Sequence, residues 1–147
     1  MNKKSMIIIG AALLVVVIVA IAATGSSVSK TDGAYNYGNM ETEDHFTSYT
    51  GYGSTPSAGN VYVVMDVVLE NQNYKNGISN NPLYFELEIG GIGYKFPLSS
   101  KEIVSVLVGA KITFKLAFEV PSDVNISNAS LKWNGIGKVV HDSNLAL

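Results

Sequence analysis

The sequence contains no cysteine and no arginine, and each absence excludes a class of protein. Without cysteine there is no disulfide framework, no thiolate metal site and no lipid-modified cysteine anchor, so the fold depends on its core. Without arginine, and with a net charge of −2, the chain has no basic face with which to neutralise phosphates. Nucleic acid is therefore not an expected partner.

Histidine is also scarce, which limits the catalytic and metal sites that the chain can build. His45 and His141 are the two histidines, and no Gly-x-Ser-x-Gly nucleophile motif is present. Zinc sites use clustered Cys or His ligands, and the densest carboxylates, at Glu41, Glu43 and Asp44, do not have EF-hand spacing. We expect no enzyme activity, no cofactor and no metal. A hydrolase that uses either histidine stays as a hypothesis.

The longest apolar stretch is residues 6–23, eighteen residues without a charged or strongly polar side chain. A helix of this length would be about 27 Å long, close to the roughly 30 Å hydrocarbon core of a bilayer. Lys3 and Lys4 precede it, so the positive-inside rule keeps the N-terminus in the cytoplasm. We interpret residues 1–25 as a membrane anchor or a signal segment, with the rest of the chain outside.

Two interpretations of this stretch stay open. An uncleaved helix makes the chain a single-pass protein of the cell membrane, with residues 6–23 in the bilayer and an extracellular C-terminal domain. The small residues Ala20, Ala22 and Ala23 also offer a small-x-small cleavage site, and cleavage would release a secreted domain. The stretch is longer than the roughly 7–15 residues of a usual signal core, which favours the anchor.

The remainder divides into a tether and one domain. Residues 26–33 are rich in Ser, Thr and Gly, which predicts a flexible tether. Residues 34–147 are of ordinary length for a single domain. Excluding Lys3 and Lys4, the chain has eight lysines against 12 acidic residues, so the exported part carries a net charge of −4.

Alternation of apolar residues with a period of two predicts strands along most of the domain. The two clearest cover residues 60–70 and 111–120, and Gly90-Gly91 predicts a tight hairpin turn after residues 83–89. Residues 40–49 predict a weaker first strand, and residues 99–108 fit a short helix or a strand. The predicted core comprises Val61, Val63, Met65, Val67, Leu69, Phe85, Leu87, Ile89, Ile112, Phe114, Leu116, Phe118, Leu131 and Trp133. The fold class is all-β, an antiparallel immunoglobulin-like β-sandwich preceded by one N-terminal helix.

Several segments also follow a known pattern. A glycine precedes a valine-rich strand that ends in asparagine, from Gly59 to Asn71, and Phe85-Glu-Leu, Gly91-Ile-Gly-Tyr94, Phe118-Glu-Val-Pro121 and Leu131-Lys-Trp133 come after it. In this order they resemble a family of small exported prokaryotic domains of unassigned function. The resemblance implies a telokin-like, immunoglobulin-type sandwich and no catalytic residues. The chain departs from the family pattern in lacking a lipid-modified cysteine.

The candidate binding residues are four tyrosines, Tyr35, Tyr37, Tyr49 and Tyr52, in a setting of Gly, Asn, Ser and Thr. Exposed tyrosines of this kind are typical of surfaces that bind proteins or sugars, although they would also suit the end of a sandwich. We hypothesise a binding module of the cell envelope that presents these tyrosines or an edge strand to an envelope protein or a glycan. The alternative is a structural subunit of a surface layer or filament, and the oligomeric state stays open.

Two glycosylation sequons lie in one short loop after Pro121. Asn125 begins Asn-Ile-Ser and Asn128 begins Asn-Ala-Ser. Because a sequon after the end of a strand lies in an exposed loop, the pattern predicts two possible acceptor sites for an exported domain.

Overall fold

The computed structural model describes residues 31–142. The predicted N-terminal helix, residues 1–25, lies outside the described residues, as does most of the predicted tether. Within residues 31–142, no helix is both long and apolar enough to cross a membrane. What the structure describes is the predicted domain, together with the last residues of the tether.

The described chain is mostly strand, which confirms the all-β class. The strands are β1 Gly33–Tyr37, β2 Glu41–Glu43, β3 Phe46–Thr47, β4 Gly53–Ser54, β5 Asn60–Asn71, β6 Ile78–Ser79, β7 Phe85–Ile89, β8 Ile92–Tyr94, β9 Leu98–Ser99, β10 Ser105–Val106, β11 Lys111–Pro121, β12 Ser130–Trp133 and β13 Val139–His141. Two single turns of 3-10 helix are present, Pro82–Tyr84 and Ile126–Asn128.

The strands form one large sheet and smaller ones. The large sheet has the order β13-β1-β5-β11-β9, and β2 also pairs with β5, on the side that β1 occupies. The order β12-β7-β8 makes a three-stranded sheet, while β10-β6 and β3-β4 are two-stranded. Pairing is antiparallel everywhere except between β1 and β13, which run parallel.

The main core is shared by the large sheet and the three-stranded sheet. The predicted core residues all belong to it, with Val61, Ile112 and Trp133 only partly buried at its margin. Strands β5 and β11 pair over eleven positions, so Val67 lies beside Phe114 and Val63 beside Phe118 on the same face. The alternation read from the sequence is thus confirmed for both long strands. Tyr35, Ile78 and Val106 are further members that the sequence did not indicate.

The opposite face of β5 mixes apolar and acidic residues, and its apolar residues are buried while Asp66 and Glu70 are only partly buried. Tyr62 and Val64 are buried under Phe46, together with Ala117 of β11. The β3–β4 hairpin supplies that cover, and it also breaks the single strand predicted over residues 40–49 into β2 and β3. The part of this face at the start of β5 is buried because the preceding hairpin folds back over it.

The remaining local predictions have clear outcomes. Gly90 and Gly91 form the predicted turn between β7 and β8, with φ angles of 58° and 83° that glycine adopts at no steric cost. Residues 99–108 contain parts of two short strands, β9 and β10, and no helix. Asp32 and Gly33, which were included in the tether, are held by the fold, since Asp32 and Lys138 exchange hydrogen bonds.

Candidate functional site

A β-bulge between β1 and β2 determines which side chains reach which face. Tyr37 pairs with Val67 and Glu41 pairs with Val64, so the three residues 38–40 oppose only two residues of β5. The backbone N–H of Gly38 donates to the carbonyl of Asp66 at 2.8 Å and keeps the bulge on the sheet. Because the extra residue shifts the alternation, Tyr35 and Tyr37 face the main core, while Glu41 and Glu43 face the hairpin side.

Tyr35 is a core residue and not part of an exposed platform. Its side chain is 5% exposed, its ring meets Phe85 edge-on, and its hydroxyl donates to the carbonyl of Leu131 at 2.6 Å. Burial, together with the nearby Tyr37 hydroxyl, raises the pKa of Tyr35 to about 12. The residue joins the large sheet to β12, which is a structural role that the sequence did not indicate.

Tyr37 is half-buried and lies at the edge of the same sheet. Its ring stacks on the ring of His141, with centroids 5.0 Å apart and planes 27° apart, and His141 also contacts the Tyr35 ring at 5.3 Å. The parallel pairing of β13 with β1 brings this histidine beside two tyrosines from more than a hundred residues away in the sequence.

An open groove of about 510 Å³ begins at Tyr37. One wall is the bulge and the other is the 3-10 turn that precedes β12. The lining residues are Tyr37, Gly38, Asn39, Met40, Ile126, Ser127 and Ala129. Apolar surface from Met40 and Ile126 therefore lies next to backbone polar groups and two small polar side chains, a mixture that is typical of ligand-binding clefts.

The groove adjoins an unpaired sheet edge. Among residues 31–142, the pairing of β13 along β1 extends as far as the Tyr35 carbonyl, which accepts a hydrogen bond from the N–H of Asp142 at 2.6 Å. Over residues 31–142, β2 is paired only with β5, and its three residues are all exposed. An exposed edge of this kind offers N–H and C=O groups to an additional strand.

Tyr49 and Tyr52 lie elsewhere. Both are in the β3–β4 hairpin, 58% and 78% exposed, and the N–H of Tyr49 donates to the Ser99 carbonyl at 3.0 Å. The hairpin covers the face of the large sheet that is opposite to Tyr35. The structure thus brings Tyr35 and Tyr37 together and separates them from Tyr49 and Tyr52.

The second histidine and the acidic residues lie apart from the groove. His45 lines a separate cavity of about 330 Å³ with Glu43, Ser100 and Lys115. A β-carbon at Gly53 would come within 2.3 Å of the imidazole, so a side chain there would displace the exposed His45 ring. In the described part of the chain, no three His, Cys, Asp or Glu side chains lie close enough together to hold a metal ion.

Both sequon asparagines lie next to the groove. Both are exposed: Asn125 directly precedes the 3-10 turn and Asn128 is its last residue. The Asn125 side chain accepts a hydrogen bond from the N–H of Ser127 at 3.0 Å. The two sequons therefore share the turn that contributes Ile126 and Ser127 to the groove. Whether either asparagine is glycosylated stays a prediction.

Comparison with protein-family models, with curated proteins and with solved structures gives no match. The resemblance to the family of small exported domains therefore stays a prediction. Of the groove residues, Tyr37 was a candidate from the sequence. On the other wall of the groove, Ile126, Ser127 and Ala129 belong to the two sequons, which did not indicate a cleft. On the Tyr37 side, the glycine and asparagine at positions 38 and 39 interrupt the strand pattern and signalled a change in the backbone.

Proposed function

We propose that this protein is an immunoglobulin-like β-sandwich, anchored to the outer face of a cell membrane, that binds an extended segment of another envelope protein. The segment would lie in the groove between the bulge and the 3-10 turn. The observation that supports this proposal best is the coincidence of that groove with a sheet edge that residues 31–142 leave unpaired.

The sandwich assignment is supported by the way in which two sheets share one core. Val63 and Phe118 of the large sheet and Leu87 and Leu131 of the three-stranded sheet are all buried in the same cluster. Face-to-face sheets with inward alternation on both sides are the defining feature of this architecture.

The membrane anchor is supported by residues 6–23 alone, whose length and apolar composition suit a spanning helix. Attachment would place the groove among other surface proteins, where a weak peptide contact gains from high local concentration. Cleavage of the segment would give a diffusing domain with the same groove.

A peptide is the ligand that matches the chemistry of the site. A strand added along β2 would satisfy backbone groups at the open edge, and its side chains would alternate between the groove and solvent. Glu41 and Glu43 are exposed on the edge strand β2 but point to the hairpin side of the sheet, so an added strand that carries lysine or arginine on that side would be favoured. The cavity volume is within the range of about 300–1,000 Å³ that is usual for ligand sites.

The alternative, a subunit of a surface layer or filament, would use the same edge between two copies. Antiparallel pairing of two β2 strands about Thr42 would place Glu41 of one copy opposite Glu43 of the other. Like charges directly across a strand pair are destabilising, so this edge favours a different partner over a second copy.

The test is site-specific photo-cross-linking of the full-length protein in its native membranes. A photoreactive residue replaces Asn39 in the groove or, as the control, Tyr52 in the exposed hairpin. We expect one discrete adduct from position 39, with an extended basic segment at the cross-linked site, and none from position 52. Adducts that are identical at both positions would contradict the proposal.

Two variants make that result specific. Ala129→Trp fills the groove and should abolish the adduct, whereas Glu41→Lys with Glu43→Lys should weaken it about fivefold by reversing the charge. Unchanged thermal unfolding would show that the fold is retained. An adduct that survives Ala129→Trp would mean that the groove is not the binding site.

A further inference from the structure

The described chain begins at one end of the domain, here called the proximal end, which is built from residues 31–33, 72–77, 107–111 and 134–138. The N–H of Gln72 donates to the Asp32 carbonyl at 3.0 Å, and the Asp32 carboxylate accepts from the N–H of Lys138 at 2.7 Å. The Asn71 side-chain amide, fully buried, donates to the carbonyls of Tyr74 and Val106. These hydrogen bonds hold the proximal loops in one arrangement.

Apolar side chains project from these loops. Leu107 is 65% exposed, Val108 51% and Ile136 69%. The first two lie in a tight turn in which the N–H of Ala110 donates to the Leu107 carbonyl, and Gly109 has a φ of 79°. Exposed apolar side chains that are grouped at the tips of hydrogen-bonded turns indicate a surface that contacts a partner or a membrane.

Aromatic and basic side chains surround the three apolar ones. Tyr74 and Tyr84, which are half-buried, line a hollow of about 220 Å³ together with Ile136. Lys75 and Lys111 are exposed at the same end. This mixture of side chains suits the interfacial region of an anionic bilayer. Apolar side chains insert among the lipid headgroups, tyrosine rings lie at headgroup depth, and lysines contact the anionic headgroups.

The other end of the long strands has the opposite charge. Glu43 and Glu119 flank Tyr62 near the start of β5, and Asp123 follows β11. Glu119 accepts hydrogen bonds from the Asn60 side chain at 2.8 Å and the Ser57 N–H at 2.9 Å, which lower its pKa. The proximal end carries Lys75, Lys111 and Lys138 against Asp32 and against Glu70, which pairs with Lys111. Its net charge of +1 therefore directs this end, and not the acidic end, toward an anionic surface.

The sequence also limits how far this end can lie from a membrane. Only residues 24–30 separate the apolar stretch from Thr31, and seven residues span at most about 25 Å when fully extended. We propose that the proximal end docks on the anionic lipid surface, with Leu107, Val108 and Ile136 at headgroup depth. This inference depends on the membrane attachment in the proposed function.

The test uses the full-length chain in vesicles of phosphatidylcholine with phosphatidylglycerol. Because the chain has no cysteine, Val108→Cys carries a single environment-sensitive fluorophore, and Ile92→Cys is the matched control. Ile92 is 61% exposed but lies beside the Gly90-Gly91 turn, at the end of the three-stranded sheet away from Trp133. We expect the reporter at 108 to be reduced by aqueous dithionite about tenfold more slowly than the one at 92, since burial of an apolar group is favourable.

Second variants show which contacts cause the protection. The double variant Leu107→Asp with Ile136→Asp should raise the rate at which dithionite reduces the reporter at 108 until it equals the rate at 92. Lys75→Glu with Lys111→Glu should lower the protection about fivefold or more, and neutral phosphatidylcholine vesicles should have a similar effect. Protection that is unchanged by both double variants would overturn the docking.

The remaining outcomes separate this inference from the proposed function. Equal reduction at 108 and 92, in protein that stays with the vesicles in high salt, would overturn the docking and leave the anchor intact. Protein that does not stay with the vesicles would overturn both. Protection at 108 that persists in detergent and rises with protein concentration would show that a second copy covers the surface, which would also overturn the docking.

Discussion

Both faces of β5 contribute buried residues, but one face is covered by a large core and the other by a small hairpin. One face packs into a cluster of fifteen buried residues drawn from the large sheet, the three-stranded sheet and the β10–β6 pair. The other contributes Tyr62 and Val64 to a cluster of four, in which Phe46 of the two-residue strand β3 is the main cover. The comparison indicates that burial is distributed over many contacts on the first face and depends on a single hairpin on the second.

The largest expected effect is on the first face. Phe118 is fully buried there, so Phe118→Ala should lower the free energy of unfolding by about 3–5 kcal/mol. Urea denaturation measures this, with Ile92→Ala as a control whose side chain is 61% exposed and whose cost should be within about 0.5 kcal/mol. A cost for Phe118→Ala that matches the control would mean that the main core is not cooperative.

Alkaline pH tests the same core through Tyr35. The pKa of Tyr35 in the folded protein is about 12, above the ordinary value of 10.0. The contribution of the neutral hydroxyl to the free energy of unfolding is therefore complete below pH 10 and is lost as pH rises toward 12. The free energy of unfolding should fall by about 2–3 kcal/mol over this pH range. Urea unfolding at several alkaline pH values measures it, and the same slope in Tyr35→Phe would contradict the assignment.

Tyr35→Phe also has a neutral-pH consequence. The variant loses the hydrogen bond from the hydroxyl to the Leu131 carbonyl, which should cost about 1 kcal/mol. The variant also lacks the part of the pH dependence that comes from Tyr35, which is larger than about 1 kcal/mol. The stability difference between parent and variant should therefore narrow above pH 10 and reverse its sign as pH approaches 12.

On the second face, Phe46→Ala should cost about 2 kcal/mol, less than Phe118→Ala because fewer neighbours are lost. Hydrogen exchange should show the amides of the β3–β4 hairpin opening well before those of β5 and β11. Tyr52→Ala, in the same hairpin but 78% exposed, is the control and should leave stability within about 0.5 kcal/mol. Simultaneous opening of hairpin and long strands would remove the distinction between the two faces.

The smallest effect concerns an ion pair at the margin of the second face. Lys115 and Asp66 approach to 3.5 Å across β11 and β5, with both side chains about half exposed. Lys115→Ala should change stability by about 0–1 kcal/mol, and less at high salt. A larger loss would show that charge, and not the Phe46 cover, holds this face.

The candidate site was only partly predictable from the sequence. Tyr37 was identified because tyrosines in a Gly- and Asn-rich setting are typical of binding surfaces, yet Tyr35, two residues before it, is in the core. Tyrosines so close in sequence have different environments because burial depends on the opposing sheet, which local composition does not describe. The groove itself joins residues 37–40 to residues 126–129, which are nearly ninety positions apart.

The sequence by itself determined the β class, the Gly90-Gly91 turn and the inward faces of β5, β7 and β11. Strict alternation over a long strand fixes which residues share the face that enters the main core. Only the tertiary structure decided what covers the second face of β5, where the bulge changes the facing of β1 and β2, and which tyrosines are exposed. Those features depend on short strands whose burial comes from distant contacts, such as the hydrogen bond from Tyr35 to Leu131, and no local pattern encodes them.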